Sequence, residues 1–203
     1  VQVPTTLLAQ VDSAIGGKTA INHELGKNLV GTFYQPTFVL SDTDFLESLP
    51  EEQLSGAMAE VLKYGVIMDP ELFDYLEQGG PFDYARIVRS CSRDKAVVVS
   101  ADEREGGLRR ILNFGHTMGH ALEKASGFTV HHGGAVASGM RSAADTCDNA
   151  HKAMPHSTSG GMASHSAACP TAMPGRAMRR SSASPAAASA AANTSLPQNM
   201  GSA

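Results

Sequence analysis

Tryptophan is absent from this 203-residue chain, and aromatic residues together make up only 5% of it. Cysteine is scarce as well: Cys91, Cys147 and Cys169 are odd in number and irregularly spaced. That excludes a disulfide framework and a paired CxxC metal motif, and fits a reducing, cytoplasmic compartment. No apolar run approaches membrane-spanning length and no signal-peptide pattern opens the chain, so no membrane partner is expected. There is no long basic run and the formal net charge is −4, so no nucleic-acid partner is expected either. Arg176, Arg179 and Arg180 read as an incidental cluster.

The sharpest absence is regional. Beyond Met140 there is no Ile, Val, Phe, Tyr or Trp, and Leu196 is the only Leu. Close to half of that stretch is Ala and Ser, punctuated by Pro155, Pro170, Pro174, Pro185 and Pro197. Such a segment cannot bury enough apolar surface to offset its ordering entropy, so 141–203 is predicted to be a disordered tail. Two origins suit its composition: a true extension, or a GC-rich stretch read out of frame.

Before Met140 the patterns are those of a folded α/β chain. Residues 1–6 read as a short strand entering a polar turn, and 7–12 as one or two helical turns. Residues 13–19 read as a flexible, glycine-containing loop. Gly16-Gly17-Lys18-Thr19 invites comparison with a phosphate-binding P-loop, but the position requiring the first glycine is Asp12. This argues against a nucleoside-triphosphatase, while Lys18 with Lys27 and Asn28 still suggests an anion-handling loop. Residues 35–42 predict a buried strand. Ser48, followed by Pro50, Glu51 and Glu52, predicts a helix start with Ser48 as N-cap. A helical period follows through Leu54, Met58, Val61 and Leu62, then Leu72, Tyr75 and Leu76. Further helices are predicted over 84–100 and 108–126. The chain divides near Pro50 into an α/β part, 1–50, and a mainly α-helical part, 51–140, without internal repeats.

Chemistry concentrates in Asn113-Phe114-Gly115-His116-Thr117-Met118-Gly119-His120, followed by His131-His132-Gly133. His116 and His120 share a helical face, as do Glu60 and Lys63 three residues apart. One Glu with two or three His could hold a divalent metal and leave a coordination position open. Taken singly, an HxxxH pair without an internal Glu is more often surface or core, and a Glu–Lys pair is usually a solvated ion pair. Spacing leaves both readings open.

The order of motifs resembles the 3-dehydroquinate synthase family, NAD- and metal-dependent enzymes of the shikimate pathway within the sugar-phosphate cyclases. The likeness lies in residues 3–20, Gly26-Lys27-Asn28, Phe33-Tyr34-Gln35-Pro36, Ala59-Glu60-Val61-Leu62-Lys63-Tyr64-Gly65, Asp102-Glu103-Arg104, Gly107-Leu108-Arg109, the 113–120 segment and His132-Gly133. It covers residues 1 to about 140. The resemblance implies that 1–50 is the end of an NAD-binding α/β domain and 51–140 part of a helical metal- and substrate-binding domain. It also implies a zinc or cobalt ion held by Glu60, His116 and His132, which moves His120 from the ligand set to the substrate side. Asp12, Lys63 and His120 take catalytic positions; Lys18, Asn28, Lys95, Arg109 and Asn113 surround substrate. Thr5, Thr6, Lys18, Lys27, Phe45, Leu46, Glu47 and Ser48 contact NAD, with Ser48 where Thr is usual.

The implied reaction converts 3-deoxy-arabino-heptulosonate 7-phosphate to 3-dehydroquinate and phosphate. It proceeds by transient NAD-dependent oxidation, phosphate elimination, re-reduction and intramolecular aldol closure. A doubly anionic sugar acid suits the Lys and Arg set. The implied complete enzyme is a homodimer. Three departures stand against this. The family's glycine-rich NAD loop does not precede Val1, Gly134 replaces the usual Glu after His-Gly, and the chain after Met140 departs from the family's helical continuation. The expectation is an inactive fragment; the alternatives are another sugar-phosphate cyclase or a non-catalytic remnant.

Overall fold

The computed structural model describes residues 1–153 except Leu25, with the side chains of Asn22, Lys27, Asn28 and 150–153 outside the description. The disorder predicted for 141–203 therefore lies, from residue 154 onward, outside the described residues.

The chain begins with backbone bonds from Gln2 N to Phe38 O and from Leu40 N to Gln2 O, each 2.9 Å, flanking a single parallel bridge between Gln2 and Val39. The buried strand predicted over 35–42 does not form: Phe38 and Leu40 are 54% and 50% exposed. An apolar run makes a strand only where a neighbouring edge pairs with it, and among the described residues one bridge is all that does. A π-helical turn, Ala9–Ser13, follows, with Leu7 and Val11 fully buried.

The loop predicted over 13–19 ends in a strand. β1 (Lys18–His23) pairs antiparallel with β2 (Gly26–Phe33), Lys18 opposite Phe33 and Ile21 opposite Val30, with an irregularity between Ile21 and His23. Thr19, Ile21, Val30, Thr32 and Phe33 are the β-branched and aromatic types that suit a pleated surface.

Five α-helices, with two 3-10 turns, account for most of the remaining described residues. α1 (Glu51–Ile67) starts after Pro50, whose fixed φ and missing N–H suit a helix entrance. Ser48 is thus not the N-cap; it ends a 3-10 turn, Thr43–Ser48, and its hydroxyl donates to Phe45 O at 3.0 Å. α2 (Pro70–Glu77) is capped by Asp69, which accepts from Leu72 N at 2.9 Å. Asp83 caps α3 (Tyr84–Ala101) through Arg86 N at 3.1 Å.

The helix predicted over 108–126 is broken into a 3-10 turn, Leu108–Asn113, and α4 (His116–Ala125). The break is Gly115, whose φ of 81° is left-handed and where a Cβ would strike Met140. α5 (His132–Ala153) runs unbroken through Met140, where the composition changes. Alanine is the best helix former and no proline occurs between His132 and Pro155, so the loss of large apolar residues does not by itself end the helix.

Leu7, Val11, Val61, Tyr64, Leu72, Ile87, Cys91 and Val98 form the main core between α1, α2 and α3. A smaller cluster of Ala59, Val136 and Met140, with Leu62 and Phe114 against it, joins α1 to α5. Their approach depends on Gly133, where a Cβ would overlap the Gly56 carbonyl. This packing brings the polar faces of α1, α4 and α5 together. No described helix is long and apolar enough to cross a membrane.

Candidate active site

Glu60 lies at the meeting point of α1, α4 and α5 and is 1% exposed. Its Oε2 accepts a short hydrogen bond from the buried Lys63 ammonium, one helical turn on. Its Oε1 receives no well-aligned hydrogen bond, yet His116 Nε2 and His132 Nε2 lie 3.2 and 3.4 Å away. Atoms each about 2.0–2.1 Å from a tetrahedral zinc are about 3.4 Å apart, which the two pairs that include Glu60 Oε1 match, and all three ligand atoms lie within 4.8 Å of one another. Burial alone would raise the Glu60 carboxyl; His116, His132 and the Lys63 charge outweigh it and hold the group well below the usual carboxylate range. His132 is raised, chiefly by Glu60, against the opposing effect of burial.

Next to this group stands Asp12, delivered by the turn after Leu7. Its Oδ1 accepts from Tyr64 Oη at 2.7 Å and pairs with Lys95 Nζ at 2.9 Å, with Lys63 Nζ at 4.0 Å. Lys95 also donates to the Asp12 carbonyl at 2.6 Å. Burial works to raise Asp12, but the Lys63 and Lys95 charges prevail and its pKa is lowered. Lys95 is lowered by burial despite Asp12. Tyr64 is raised by burial and by Asp12 beside it, so it stays a hydrogen-bond donor.

Asp12, Lys18, Lys95, Asn113, His116, His120 and His132 line one cleft of about 790 Å³ between the hairpin and the helices. The rings of His116 and His120 are 5.4 Å apart, and those of His116 and His132 are 5.5 Å apart. Glu105 also lines the cleft, accepting from Lys18 Nζ at 2.5 Å and from Asn113 Nδ2 at 2.7 Å. Its backbone φ of 60° is a left-handed conformation for a non-glycine residue.

Arg109, expected among the substrate cations, is not brought to the cleft. It is 1% exposed, and its guanidinium donates to the carbonyls of Glu103 at 2.5 Å and Gly16 at 2.8 Å. It thus ties the 3-10 turn to the loop before β1. Of the residues expected at NAD, Lys18 lines the cleft, while Thr5, Thr6 and residues 45–48 lie apart from it. Thr6 Oγ1 accepts from Ala9 N at 3.2 Å, Thr5 and Phe45 are exposed, and Leu46 is in the core. Leu46 and Glu47 border a separate hollow of about 480 Å³ with Leu54, Phe82 and Tyr84. The side chains of Lys27 and Asn28 lie outside the described residues.

Three residues that motif reading left without a role belong to the site: Tyr64, Glu105 and Glu123. Tyr64 follows Lys63 directly. Glu105 closes the Asp102–Arg104 run, and Glu123 stands three residues after His120, so each was signalled by adjacency or helical spacing.

Residues 1–56 match the family profile described as 3-dehydroquinate synthase N-terminal, and residues 57–183 that described as 3-dehydroquinate synthase C-terminal, which extends past Met140. The 3-dehydroquinate synthase of Nitrosococcus oceani is 56% identical over 154 residues, covering 71% of this chain and 43% of that protein. That of Symbiobacterium thermophilum is 57% identical over 151 residues, covering 71% and 42%. The chain thus spans about two-fifths of the length of the curated relatives it matches. Among solved structures, 2-deoxy-scyllo-inosose synthase matches with a TM-score of 0.66 at 36% identity, covering 75% of this chain and 45% of that one. The 2-epi-5-epi-valiolone synthase ValA of Streptomyces hygroscopicus subsp. jinggangensis, with NAD+ and Zn2+ bound, matches with a TM-score of 0.64 at 32% identity, covering 70% and 42%. With profile matches running from residue 1 to residue 183, and a Glu–His–His triad assembled beside a cleft lined by Lys18 and Lys95, the chain belongs to the 3-dehydroquinate synthase family.

Proposed function

We propose that this chain supplies the metal- and substrate-binding part of a 3-dehydroquinate synthase, a lyase releasing phosphate from 3-deoxy-arabino-heptulosonate 7-phosphate to form 3-dehydroquinate. The observation that carries this reading is the convergence of Glu60, His116 and His132 beside Asp12, Lys63 and Lys95 at one cleft. Glu60, His116 and His132 hold a zinc or cobalt ion. When bound, the metal supplies a Lewis acid at a substrate hydroxyl, and NAD a reversible hydride acceptor.

Lys18, Lys95 and Asn113, with Asn28, bind the anionic groups of the substrate by charge-assisted hydrogen bonds. Asp12, kept ionised by its lysines, accepts from a substrate hydroxyl. His120 lies on the exposed side of α4 with its ring at the cleft, where it can take and return a hydroxyl proton. Lys63 orients Glu60 and Asp12 relative to one another. Arg109, the remaining substrate cation of this reading, also holds the loop before β1 in place through its bond to the Gly16 carbonyl. Thr5, Thr6, Lys27 and residues 45–48 serve NAD from outside the cleft. The reading also takes residues 1–50 as the end of the NAD-binding domain, the complete enzyme as a homodimer and its compartment as the cytoplasm.

The test has two parts. Calorimetric titration of the chain with zinc should show one site that His116→Ala abolishes, and equal binding by the variant would remove the ligand assignment. The full-length protein with NAD and zinc should release inorganic phosphate from 3-deoxy-arabino-heptulosonate 7-phosphate. The likeness to other sugar-phosphate cyclases supports a second reading, and phosphate release from a sugar phosphate lacking the carboxylate would favour it.

A further inference from the structure

We infer that Glu123 is a positioning residue for His132: it accepts a hydrogen bond from Nδ1–H and so keeps Nε2 turned toward Glu60. The inference rests on the reading of Glu60, His116 and His132 as metal ligands. His132 is held between two carboxylates, its Nε2 3.4 Å from Glu60 Oε1 and its Nδ1 3.4 Å from Glu123 Oε1. His116 is arranged the same way, with Nε2 3.2 Å from Glu60 Oε1 and Nδ1 3.3 Å from the Phe114 carbonyl. A neutral imidazole carries one N–H. Placing it on Nδ1 against a fixed acceptor leaves the Nε2 lone pair for the metal and fixes the plane of the ring.

Glu123 is suited to this by its location. It is 4% exposed, and a buried carboxylate requires a partner. His116, His120 and Glu123 fall at i, i+4 and i+7 on α4 and share one face. That face meets α5 closely because Gly119 stands at the contact, where even a Cβ would come within 3.2 Å of the Val136 backbone. Gly134, two positions from His132 along α5, has no side chain to offer. The carboxylate at Nδ1 therefore comes from α4, and a rigid helix pair sets its distance.

The same atoms admit a competing arrangement, because His120, Glu123 and His132 place ligand atoms within 4.8 Å of one another. A second ion there would need the Nδ1 lone pair of His132, which the hydrogen bond to Glu123 excludes. Zinc stoichiometry separates the two. The wild-type chain should bind one equivalent, and two equivalents falling to one in Glu123→Leu would overturn the inference. Glu123→Leu, which removes the acceptor, should raise the zinc Kd about 10- to 100-fold, whereas Glu123→Gln, which keeps a carbonyl oxygen, should raise it less. The metal-free thermal midpoint of Glu123→Gln should stay close to that of the wild type.

An unchanged Kd in folded variants would overturn the role of Glu123 alone. No zinc binding by the wild type would overturn the ligand reading beneath it. If both variants fail to fold, the zinc-loaded wild type decides. Its His132 Nδ1–H should give a downfield, slowly exchanging proton resonance in NMR, and exchange as fast as that of an exposed imidazole would overturn the inference.

Discussion

The two walls of the cleft stand on different physics. The helical wall carries its polar groups inside: Glu60 and Lys63 are each 1% exposed and sit over a core of fully buried Val61, Tyr64 and Ile87. The hairpin wall is held by its backbone ladder, with Ile21, Leu29 and Val30 at 63%, 58% and 57% exposure. A polar group in the first wall has no water to fall back on, so each depends on its specific partner. Lys18, on the hairpin with its side chain 45% exposed, can exchange Glu105 for water at little cost. The helical wall thus sets the geometry of the site, and the hairpin closes over it with weaker commitments.

The strongest test of that contrast is Lys63→Met. Removing the ammonium leaves Glu60 ionised and buried without its Oε2 partner, and urea unfolding should show a loss of about 3–5 kcal/mol. A loss below about 1 kcal/mol would mean that the pair is not buried as described. Leu7→Ala should cost about 2–5 kcal/mol in the same assay, because the cavity it leaves lies in a closed core.

Tyr64→Phe should come next. Asp12 loses one of its donors inside the cleft wall, for a cost of about 1–3 kcal/mol. Asp12 also predicts a pH dependence. Its folded pKa is lowered from 3.8, so the unfolded chain takes up the proton first. Its contribution is present above about pH 4 and is lost as pH falls further toward the folded value. The urea midpoint should therefore drop more between pH 5 and pH 3 in the wild type than in Asp12→Asn; parallel drops would remove Asp12 as a source of acid sensitivity. The smallest effects belong to the hairpin. Ile21→Ala should stay within about 0.5 kcal/mol and Lys18→Met within about 1 kcal/mol. If Ile21→Ala matched Leu7→Ala, the two walls would not differ as argued.

How much could be read beforehand followed the range of the forces involved. α1, α2 and α3 are legible through apolar period, Pro70 and the acidic residues at or just before each start, although the N-cap expected at Ser48 is displaced by the chain turning at Pro50. The hairpin was hidden because neither strand alternates cleanly, having no apolar face to bury. The strand expected over 35–42 failed for want of a neighbouring edge. The resemblance puts Arg109 among the residues around substrate, and motif order gives no sign of the bonds its guanidinium makes to the carbonyls of Glu103 and Gly16.

By itself the sequence determined the helices of residues 51–101, the shared face of His116 and His120, and the Glu60–Lys63 pair one turn apart. These follow from spacing along a single element, where 3.6 residues per turn is the only geometry needed. It also determined the family, through the order of its motifs. Only the tertiary structure decided that His132 joins His116 at Glu60, that Tyr64 and Lys95 meet at Asp12, and that Glu123 reaches His132. Each of those contacts crosses between elements. The two that involve His132 depend on how closely helices can approach at Gly115, Gly119 and Gly133, and the one at Asp12 on the packing of α1 and α3 against the Ala9–Ser13 turn, distances that no periodicity along the chain encodes.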